Sequence, residues 1–254
     1  MSKFFFSISI FLLALLSACT PSKPPLRVAI ASSMLLPMNE IAEAFTQETG
    51  EKVEINAASS GKLMAQIMNH APFHIFISAN QDYPQKLYNE DFTVDKPKPL
   101  VAGDLAFWSN LQGPWWPKVD SVIRNSEISK IAIANADLAP YGESTRHWLK
   151  KQGLWETALP KLVYGENVGQ VNHFIHSGSV DAAFTSVSGA ITIAKSTDLS
   201  VEEKGQWIRL GSLGAVPHDI VLLKQTHPQA KAFHEFLFSE KAGEIFKQYG
   251  YIKP

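Results

Sequence analysis

The sequence predicts an α/β protein made of two units, each with a largely parallel sheet. Three observations favour this class. Short apolar runs alternate with stretches of helical periodicity, small polar residues stand between a run and the next helix, and glycine follows several helices. Strand, turn and helix repeated in this way are typical of parallel sheets covered by helices. About 230 residues follow the N-terminal segment, which suffices for one large or two modest domains.

The elements follow one another in a regular order. Leu26 to Ala31 is a predicted strand, and apolar positions from Leu35 onward recur at helical spacing until Gly50, which tolerates a positive φ. The predicted strands cover residues 26–31, 52–56, 74–78, 100–108, 131–134, 161–164, 182–185, 207–210 and 220–223. The predicted helices cover residues 35–49, 63–68, 81–89, 143–152, 167–176, 229–237 and 240–249, and residues 135–142 form a loop.

Two such units, with the last two helices returning to the first, predict two lobes joined by crossing strands. We place residues 26–103 and 218–254 in the first lobe and residues 104–217 in the second. Ligands of open α/β sheets bind beyond the carboxyl ends of strands, against the N-termini of helices. A ligand site is therefore expected at the strand-to-helix turns.

The N-terminal segment is set apart from the fold. Lys3 gives a basic start, and Phe4 to Leu16 is almost wholly apolar but shorter than the about 20 residues of a permanent membrane helix. A basic start, an apolar core and small residues at the break are typical of a secretory signal. We therefore expect an exported protein, in the periplasm or cell envelope; the alternative is an uncleaved anchor.

Cys19 is the only cysteine, so the chain has no internal disulfide. The sequence Leu16-Ser17-Ala18-Cys19 resembles the box of bacterial lipoproteins, in which the signal is removed before a cysteine that carries lipid. That resemblance implies a signal peptide over residues 1–18, lipidation of Cys19 and a tether over residues 19–25. The lipid would then be the protein's contact with the membrane. Ordinary cleavage nearby, giving a free protein, is the alternative.

The overall charge excludes one class of partner. The chain has 24 acidic residues against 23 Lys and Arg, for a formal net charge of −1. Nucleic-acid-binding proteins carry basic patches, so nucleic acid is not an expected partner. An anionic ligand would have to be held by local geometry and not by a broad positive field.

Three turns share one chemical character. Ser32-Ser33, Ser59-Ser60-Gly61 and Asn167-Val168-Gly169 each stand where a strand gives way to a helix. A helix N-terminus leaves about four N–H groups unpaired and carries a partial positive charge, so several such ends can bind an anion without a cation. Serine hydroxyls add donors that rotate to suit a ligand. The alternative is that these residues are ordinary N-caps.

Several longer segments provide a further signal. They are Ala31-Ser32-Ser33-Met34, Pro37-Met38-Asn39-Glu40-Ile41-Ala42, Ala58-Ser59-Ser60-Gly61-Lys62-Leu63, His74-Ile75-Phe76-Ile77-Ser78-Ala79, Ile131-Ala132-Ile133-Ala134-Asn135, Ala139-Pro140-Tyr141-Gly142, Val163-Tyr164-Gly165-Glu166-Asn167-Val168-Gly169-Gln170, Ala183-Phe184-Thr185-Ser186-Val187-Ser188 and Ile245-Phe246-Lys247-Gln248-Tyr249-Gly250-Tyr251. These segments resemble the periplasmic molybdate-binding proteins, the substrate-binding components of molybdate ABC transporters. The likeness covers nearly all of residues 26–254, and the Ala-Pro-Tyr-Gly and Gly-Glu-Asn-Val segments are its most specific parts.

The resemblance implies a type 2 periplasmic binding protein fold, with two α/β lobes and a ligand cleft between them. It implies that Ser33 and Ser60 offer hydroxyl and backbone donors from the first lobe, with Ser32 as an additional contact. Tyr141 and Val168 would offer backbone N–H groups from the second lobe. Such a protein binds its metal as an oxyanion, with no metal held directly by side chains, and needs no cofactor.

One position departs from the family's pattern. Thr185 stands on the strand where some relatives carry a ligand-binding tyrosine, so Thr185 or a neighbour is the candidate for the last contact. The resemblance implies a monomeric receptor that captures molybdate and tungstate and delivers them to the permease subunits of an importer. No enzymatic activity is expected.

An all-donor site suits a fully deprotonated tetrahedral dianion. Hydrogen phosphate carries an O–H group that would find no acceptor in such a site. Leaving a buried polar group without a hydrogen-bond partner costs about 1–3 kcal/mol of binding free energy. A sequence does not show the cavity size that would separate molybdate from sulfate. The alternatives are a receptor for another oxyanion such as sulfate, or for a metal or organic solute, and, from a different class, the effector domain of a transcription regulator, which shares this fold.

Other motifs are weaker. Ser59 and Lys62 satisfy the Ser-x-x-Lys pattern of some serine enzymes, but the motifs that accompany it are missing from the sequence. His173 and His176 share a helix face without an acidic or cysteine partner nearby, which favours a solvated face over a metal site. The Trp115-Trp116 pair is interpreted as core or as packing against the prolines beside it, and the alternative is a surface that stacks on a sugar or binds a partner.

Overall fold

The computed structural model describes residues 24–111, 118–196, 198–200, 204–211 and 215–253. Its strands are β1 (Leu26–Ala31), β2 (Val53–Ala58), β3 (Ile75–Ser78), β4 (Lys98–Gly103), β5 (Leu105–Ser109), β6 (Ile131–Ala134), β7 (Leu162–Gly165), β8 (Ala182–Ser186), β9 (Gln206–Arg209) and β10 (Val216–Leu222). Its helices are α1 (Leu35–Thr49), α2 (Ser60–Met68), α3 (Asp82–Asn89), α4 (Val119–Arg124), α5 (Pro140–Lys151), α6 (Trp155–Ala158), α7 (Val168–His176), α8 (Val187–Lys195), α9 (Ala230–Phe236) and α10 (Glu240–Gln248).

The strands form two sheets of five, with a similar plan in each. The first has the order β2-β1-β3-β10-β4, and the second has the order β7-β6-β8-β5-β9. In the first sheet β1 runs parallel to β2 and β3, while β10 is antiparallel to β3 and β4. In the second sheet β6 runs parallel to β7 and β8, while β5 is antiparallel to β8 and β9.

The apolar runs build a core on each face of the first sheet. Side chains of a strand alternate between the two faces of its sheet. Val28 and Ile30 of β1 pack in one buried cluster together with Ile220 of β10, while Ala29 and Val221 pack in the cluster on the other face. A strand buried on both faces reads as a continuous apolar run, which is why β1 is recognisable from its sequence.

The chain crosses between the sheets at Asp104. The sequence predicts one extended run over residues 100–108, but the structure divides it into β4 of the first sheet and β5 of the second. The chain returns in β10, which begins at Val216. We propose that these sheets mark the lobes given above, residues 26–103 plus 218–254 and residues 104–217.

Several helices differ from the sequence prediction for local reasons. Helix α5 begins at Pro140, not at Glu143, because proline suits the first helical position, where its missing N–H would have no partner. Helix α8 was not predicted, since glycine and β-branched residues give it low helix propensity. Burial and a cap, in which Ser186 Oγ accepts from Gly189 N at 3.0 Å, outweigh that propensity.

Some predictions fall outside the described residues. The signal peptide, Cys19 and the tether as far as Lys23 lie there, as does the Trp115-Trp116 pair. Among the residues that the structure describes, no helix is long and apolar enough to cross a bilayer.

Candidate functional site

The candidate site lies where a serine turn and three helix starts meet. A turn of 3-10 helix, Ser32–Met34, follows the carboxyl end of β1, and α2 begins directly after β2. In the second lobe, α5 and α7 begin shortly after the carboxyl ends of β6 and β7. This is the edge at which open α/β sheets bind ligands, as the sequence predicts.

The serine turn is held by hydrogen bonds from both lobes. The carbonyl oxygen of Ser33 accepts from the hydroxyl of Ser188 at 2.6 Å and from the hydroxyl of Tyr251 at 2.9 Å. Ser188 belongs to the second lobe and Tyr251 to the first. Ser32 Oγ accepts from Gly169 N in the first turn of α7 at 3.2 Å. The turn is therefore fixed against the second lobe.

His218 determines where the hydroxyl of Ser33 points. This histidine is fully buried on β10, and its Nδ1 lies 3.0 Å from the carbonyl oxygen of Val216. Since a carbonyl only accepts, Nδ1 carries the proton, and Nε2 accepts from Ser33 Oγ at 3.2 Å. The Ser33 hydroxyl can turn from this long bond to an anion, because hydrogen bonds to charged acceptors are about twice as strong as neutral ones.

The serine pair at the start of α2 is also buried. Ser60 is 1% exposed, and its hydroxyl oxygen accepts from Ala79 N at 3.1 Å, which leaves its own proton for a further acceptor. Ser59 is the N-cap of the helix, but its hydroxyl makes no capping bond. Among the described residues Ser59 Oγ is buried without a hydrogen-bond partner.

Tyr141 is the second residue of α5, so its N–H has no partner within the helix. Its side chain lies between the crossing strands: the hydroxyl would be 2.3 Å from a Cβ atom at Gly103, and its ring centroid is 6.1 Å from that of His218. The hydroxyl is close to Ser33 but has no well-formed hydrogen bond within the described part of the chain.

Val168 is the first residue of α7, and its N–H is likewise free of the helix. Asn167 caps this helix, since its Oδ1 accepts from Gln170 N at 3.1 Å. The side chain of Gln170, however, accepts from the N–H of Glu166 at 2.6 Å instead of from Asn167. These bonds fix the start of α7, while the N–H of Val168 stays available to a ligand.

Further contacts join the helix starts across the cleft. Gly61 N, in the first turn of α2, donates to the carbonyl oxygen of Leu138 in the loop before α5 at 3.0 Å. With the bond between Ser32 and Gly169, this places the starts of α2, α5 and α7 around the serine turn. Ser33, Ser60, Tyr141 and Val168 are all buried there.

Thr185 lies deeper in the second lobe. It is fully buried in β8, and its hydroxyl donates to Asn172 Oδ1 of α7. A hydroxyl has one proton, so in this arrangement Thr185 has none left for an anion.

The site is neutral and rich in donors. Burial lowers the pKa of His218 to about 4, so its imidazole is uncharged at neutral pH. Burial also raises the pKa of Tyr251 to about 12 and raises the pKa of Tyr141 well above its ordinary value. Both phenols therefore keep their protons.

Sequence reasoning did not identify His218, Ser188 or Tyr251 as parts of this site. Each comes from a segment distant in sequence from the turn that it contacts, with separations of 185, 155 and 218 residues. The signal available for His218 was a histidine two residues before the predicted strand over residues 220–223, while Ser188 and Tyr251 lie in segments that carry the family resemblance. That pattern alone does not indicate a contact with Ser33.

The structure gives no support to the rival motifs. Lys62 forms an ion pair with Glu166 at 2.8 Å and is not paired with Ser59 as a general base would be. No group of three His, Cys, Asp or Glu residues in the described ranges could hold a metal ion. His173 and His176 instead line a groove of about 540 Å³ together with Leu35.

Comparisons with known proteins agree with this geometry. Residues 26–252 match the family described as bacterial extracellular solute-binding protein. The chain is 33% identical to the molybdate-binding protein ModA of Azotobacter vinelandii over 97% of its own length and 98% of the relative's. It is 27% identical to a putative ABC transporter substrate-binding lipoprotein, YvgL, of Bacillus subtilis, over 92% and 89% of the two chains.

A solved structure supports the fold directly. The periplasmic molybdate-binding protein of Azotobacter vinelandii superposes with a TM-score of 0.81 at 29% identity, over 90% of this chain and 99% of that one. The predicted type 2 periplasmic binding protein fold, with two lobes and a cleft, is confirmed. The chain belongs to the family of bacterial extracellular solute-binding proteins.

Proposed function

We propose that this protein captures molybdate, and tungstate by the same chemistry, in the cleft between its lobes and delivers it to an ABC importer. The observation that carries this proposal is the meeting of three helix starts and a serine turn in one buried, uncharged place. Helix N-termini bind anions through free N–H groups and the helix dipole. The relatives named as molybdate-binding proteins support the choice of ligand.

The proposed contacts are donors from both lobes. Ser33 and Ser60 would offer hydroxyl and backbone donors, and Tyr141 and Val168 would offer N–H groups at helix starts. Ser32 and Thr185 are the weaker candidates. The oxygen of Ser32 already accepts from Gly169, and the proton of Thr185 goes to Asn172.

Neutral donors would select the ligand by its protonation state. Molybdate and tungstate are fully deprotonated at neutral pH and need only donors. Hydrogen phosphate would bring a proton that faces donors, at a cost of about 1–3 kcal/mol. Sulfate matches molybdate in charge and shape, so its exclusion would rest on the size of the closed cavity.

The protein would act as an exported monomer without a cofactor or catalytic step. Its partners would be the anion and the membrane permease subunits of the importer. We propose that Cys19 carries a lipid after removal of residues 1–18, and that residues 19–25 are the tether. The resemblance of residues 16–19 to the lipoprotein box supports this, as does the similarity to a Bacillus subtilis protein named as a lipoprotein.

Titration calorimetry with molybdate, tungstate, sulfate and phosphate in turn tests the proposal. Molybdate and tungstate should bind with dissociation constants at least 100-fold below those of sulfate and phosphate, a difference of about 2.7 kcal/mol. Tight binding of sulfate without binding of molybdate would show that the protein is a sulfate receptor instead.

The same titrations on Ser33→Ala and Ser60→Ala should each show a loss of about 1–3 kcal/mol of binding free energy. Ser177→Ala, an exposed serine in the second lobe, is the matched control.

A further inference from the structure

One ion pair joins the two lobes beside the candidate site. Lys62 Nζ lies 2.8 Å from Glu166 Oε1, and the two residues are 104 positions apart in the chain. Lys62 is in the first turn of α2, in the first lobe, and Glu166 precedes α7, in the second. Their side chains are 50% and 41% exposed, so the pair, which we call the rim pair, lies at the edge of the cleft and not inside it.

The rim pair stands next to the proposed anion contacts. Lys62 follows Ser60 by two residues, and Glu166 precedes Val168 by two. The neighbouring bond from Gly61 N to Leu138 O also crosses the cleft. The chain passes between the lobes near Asp104 and again in β10, and these two crossings form the hinge. Because the two residues belong to different lobes, we expect opening about that hinge to separate Lys62 from Glu166.

The local electrostatics favour this pairing. Lys62 lies in the first turn of α2, where the helix dipole disfavours a cation. Glu166 lies just before α7, where the helix dipole favours an anion. The N–H of Glu166 is fixed by Gln170 at 2.6 Å, so its backbone is held in place when Lys62 arrives.

We propose that Lys62 and Glu166 form a latch that holds the cleft closed and slows the release of bound ligand. The role in ligand release rests on the proposed function, whereas the closing contact itself does not. Exposed ion pairs make modest contributions, so removing either charge should speed dissociation by roughly three- to fivefold at low salt. This difference should shrink as ionic strength rises, because salt screens exposed charges.

Stopped-flow tryptophan fluorescence with molybdate measures both rate constants. Lys62→Gln and Glu166→Gln should each raise the dissociation rate constant, and the exchanged pair Lys62→Glu with Glu166→Lys should restore it. The association rate constant should fall in the first variant and rise in the second, because the approaching dianion is attracted by one charge and repelled by the other. An effect on folding alone would not split the two variants in this way.

A second ion pair of the same kind provides the control. Lys241 Nζ lies 2.7 Å from Glu48 Oε1, with side chains 49% and 50% exposed, but both residues belong to the first lobe. Lys241→Gln should leave both rate constants unchanged. Dissociation of Glu166→Gln at the wild-type rate in low salt, with wild-type protein binding normally, would overturn the latch and leave the proposed function intact.

A measurement without ligand separates the two proposals fully. If the wild-type protein bound none of the four oxyanions, the proposed function would fail, and the latch would still be open to test. The amide of Gly61 donates across the cleft, so its hydrogen exchange reports closure in the free protein. Exchange at Gly61 should be faster in Glu166→Gln than in the wild type or in Lys241→Gln. Equal exchange in all three would overturn the latch.

Discussion

At the scale of single residues, the site depends on groups that keep or lose protons because they are buried. The imidazole of His218 is neutral, and its Nδ1–H donates a hydrogen bond to the carbonyl oxygen of Val216. Nε2 is therefore left to accept from the hydroxyl of Ser33. The phenol of Tyr251 stays protonated and donates to the carbonyl oxygen of Ser33. A charged side chain is not needed to hold this serine, which leaves the ligand as the main source of charge.

The lowered pKa of His218 predicts a pH dependence of stability. Its folded pKa is about 4, against an ordinary value of 6.5. Between pH 6.5 and pH 4 the unfolded chain therefore binds a proton that the folded protein does not, and stability falls as the pH falls through this window. The contribution of His218 reaches about 3 kcal/mol at the acid end.

Urea unfolding of the wild type and His218→Asn at several pH values between 7 and 4 measures this contribution. The pKa values of His74 and His234 are also lowered by burial, so both proteins should lose stability towards acid. The variant should lose less. The groups facing His218 are Ser33, Tyr141, Tyr251 and the carbonyl of Val216, none of which titrates in this range. Parallel curves for the two proteins would contradict the assignment.

At the scale of elements, the site requires helix starts that approach the strand ends closely. Gly142 in the first turn of α5 shows this most clearly. A Cβ atom there would lie 2.3 Å from the carbonyl oxygen of Ala134 and 2.8 Å from the nitrogen of Ala136. These are backbone atoms and cannot turn aside, so the start of α5 rests directly on the end of β6.

We predict that Gly142→Ala destabilises the protein by about 1–3 kcal/mol, as overpacking of a close contact does. It should also weaken anion binding, because the displaced helix start carries the N–H of Tyr141. Denaturant unfolding and calorimetry check both effects.

A second glycine gives the matched control. Gly243 is in the interior of α10, and a Cβ atom there meets only the end of the Lys253 side chain at 4.0 Å. Gly243→Ala should stabilise the protein by about 0.5–1 kcal/mol, since alanine favours helix more than glycine does. Wild-type stability and affinity in Gly142→Ala would show that α5 has room to move.

At the scale of the whole molecule, the described arrangement is the closed one. Its lobes are joined by the backbone bond from Gly61 to Leu138, the bond from Gly169 to Ser32, the bond from Ser188 to Ser33, and the rim pair. Ser188 lies next to the crossing at Asp104, whose carbonyl oxygen accepts from Val187 N at 2.9 Å, so the contacts expected to break on opening are the other three. A ligand that binds better to the closed form shifts the population towards it.

Amide exchange should follow this shift. We predict that molybdate slows hydrogen exchange at Gly61 and Gly169, because their N–H groups donate across the cleft. The amide of Gly50 donates to Thr46 O at 2.8 Å within the first lobe and should be unaffected. Exchange rates resolved by NMR measure all three. Equal slowing at Gly50 would indicate general stabilisation and not closure.

Much of the fold could be predicted from the sequence because its determinants are local. The buried strands β1, β3 and β6 read as apolar runs, and Gly50 ends α1 with a positive φ of 74°. The two-lobed plan followed from the order of these elements. Helix α8 could not be predicted, since its sequence disfavours helix and only burial against the second sheet stabilises it.

The sequence by itself determined which turns carry donors, because serine, asparagine and glycine before a helix have local effects on the backbone. Only the tertiary structure decided how those donors are used. The burial of His218, its bond to Ser33 and the rim pair of Lys62 with Glu166 depend on segments far apart in the chain. Such contacts form when the sheets have assembled and the lobes have closed, and no local pattern specifies them.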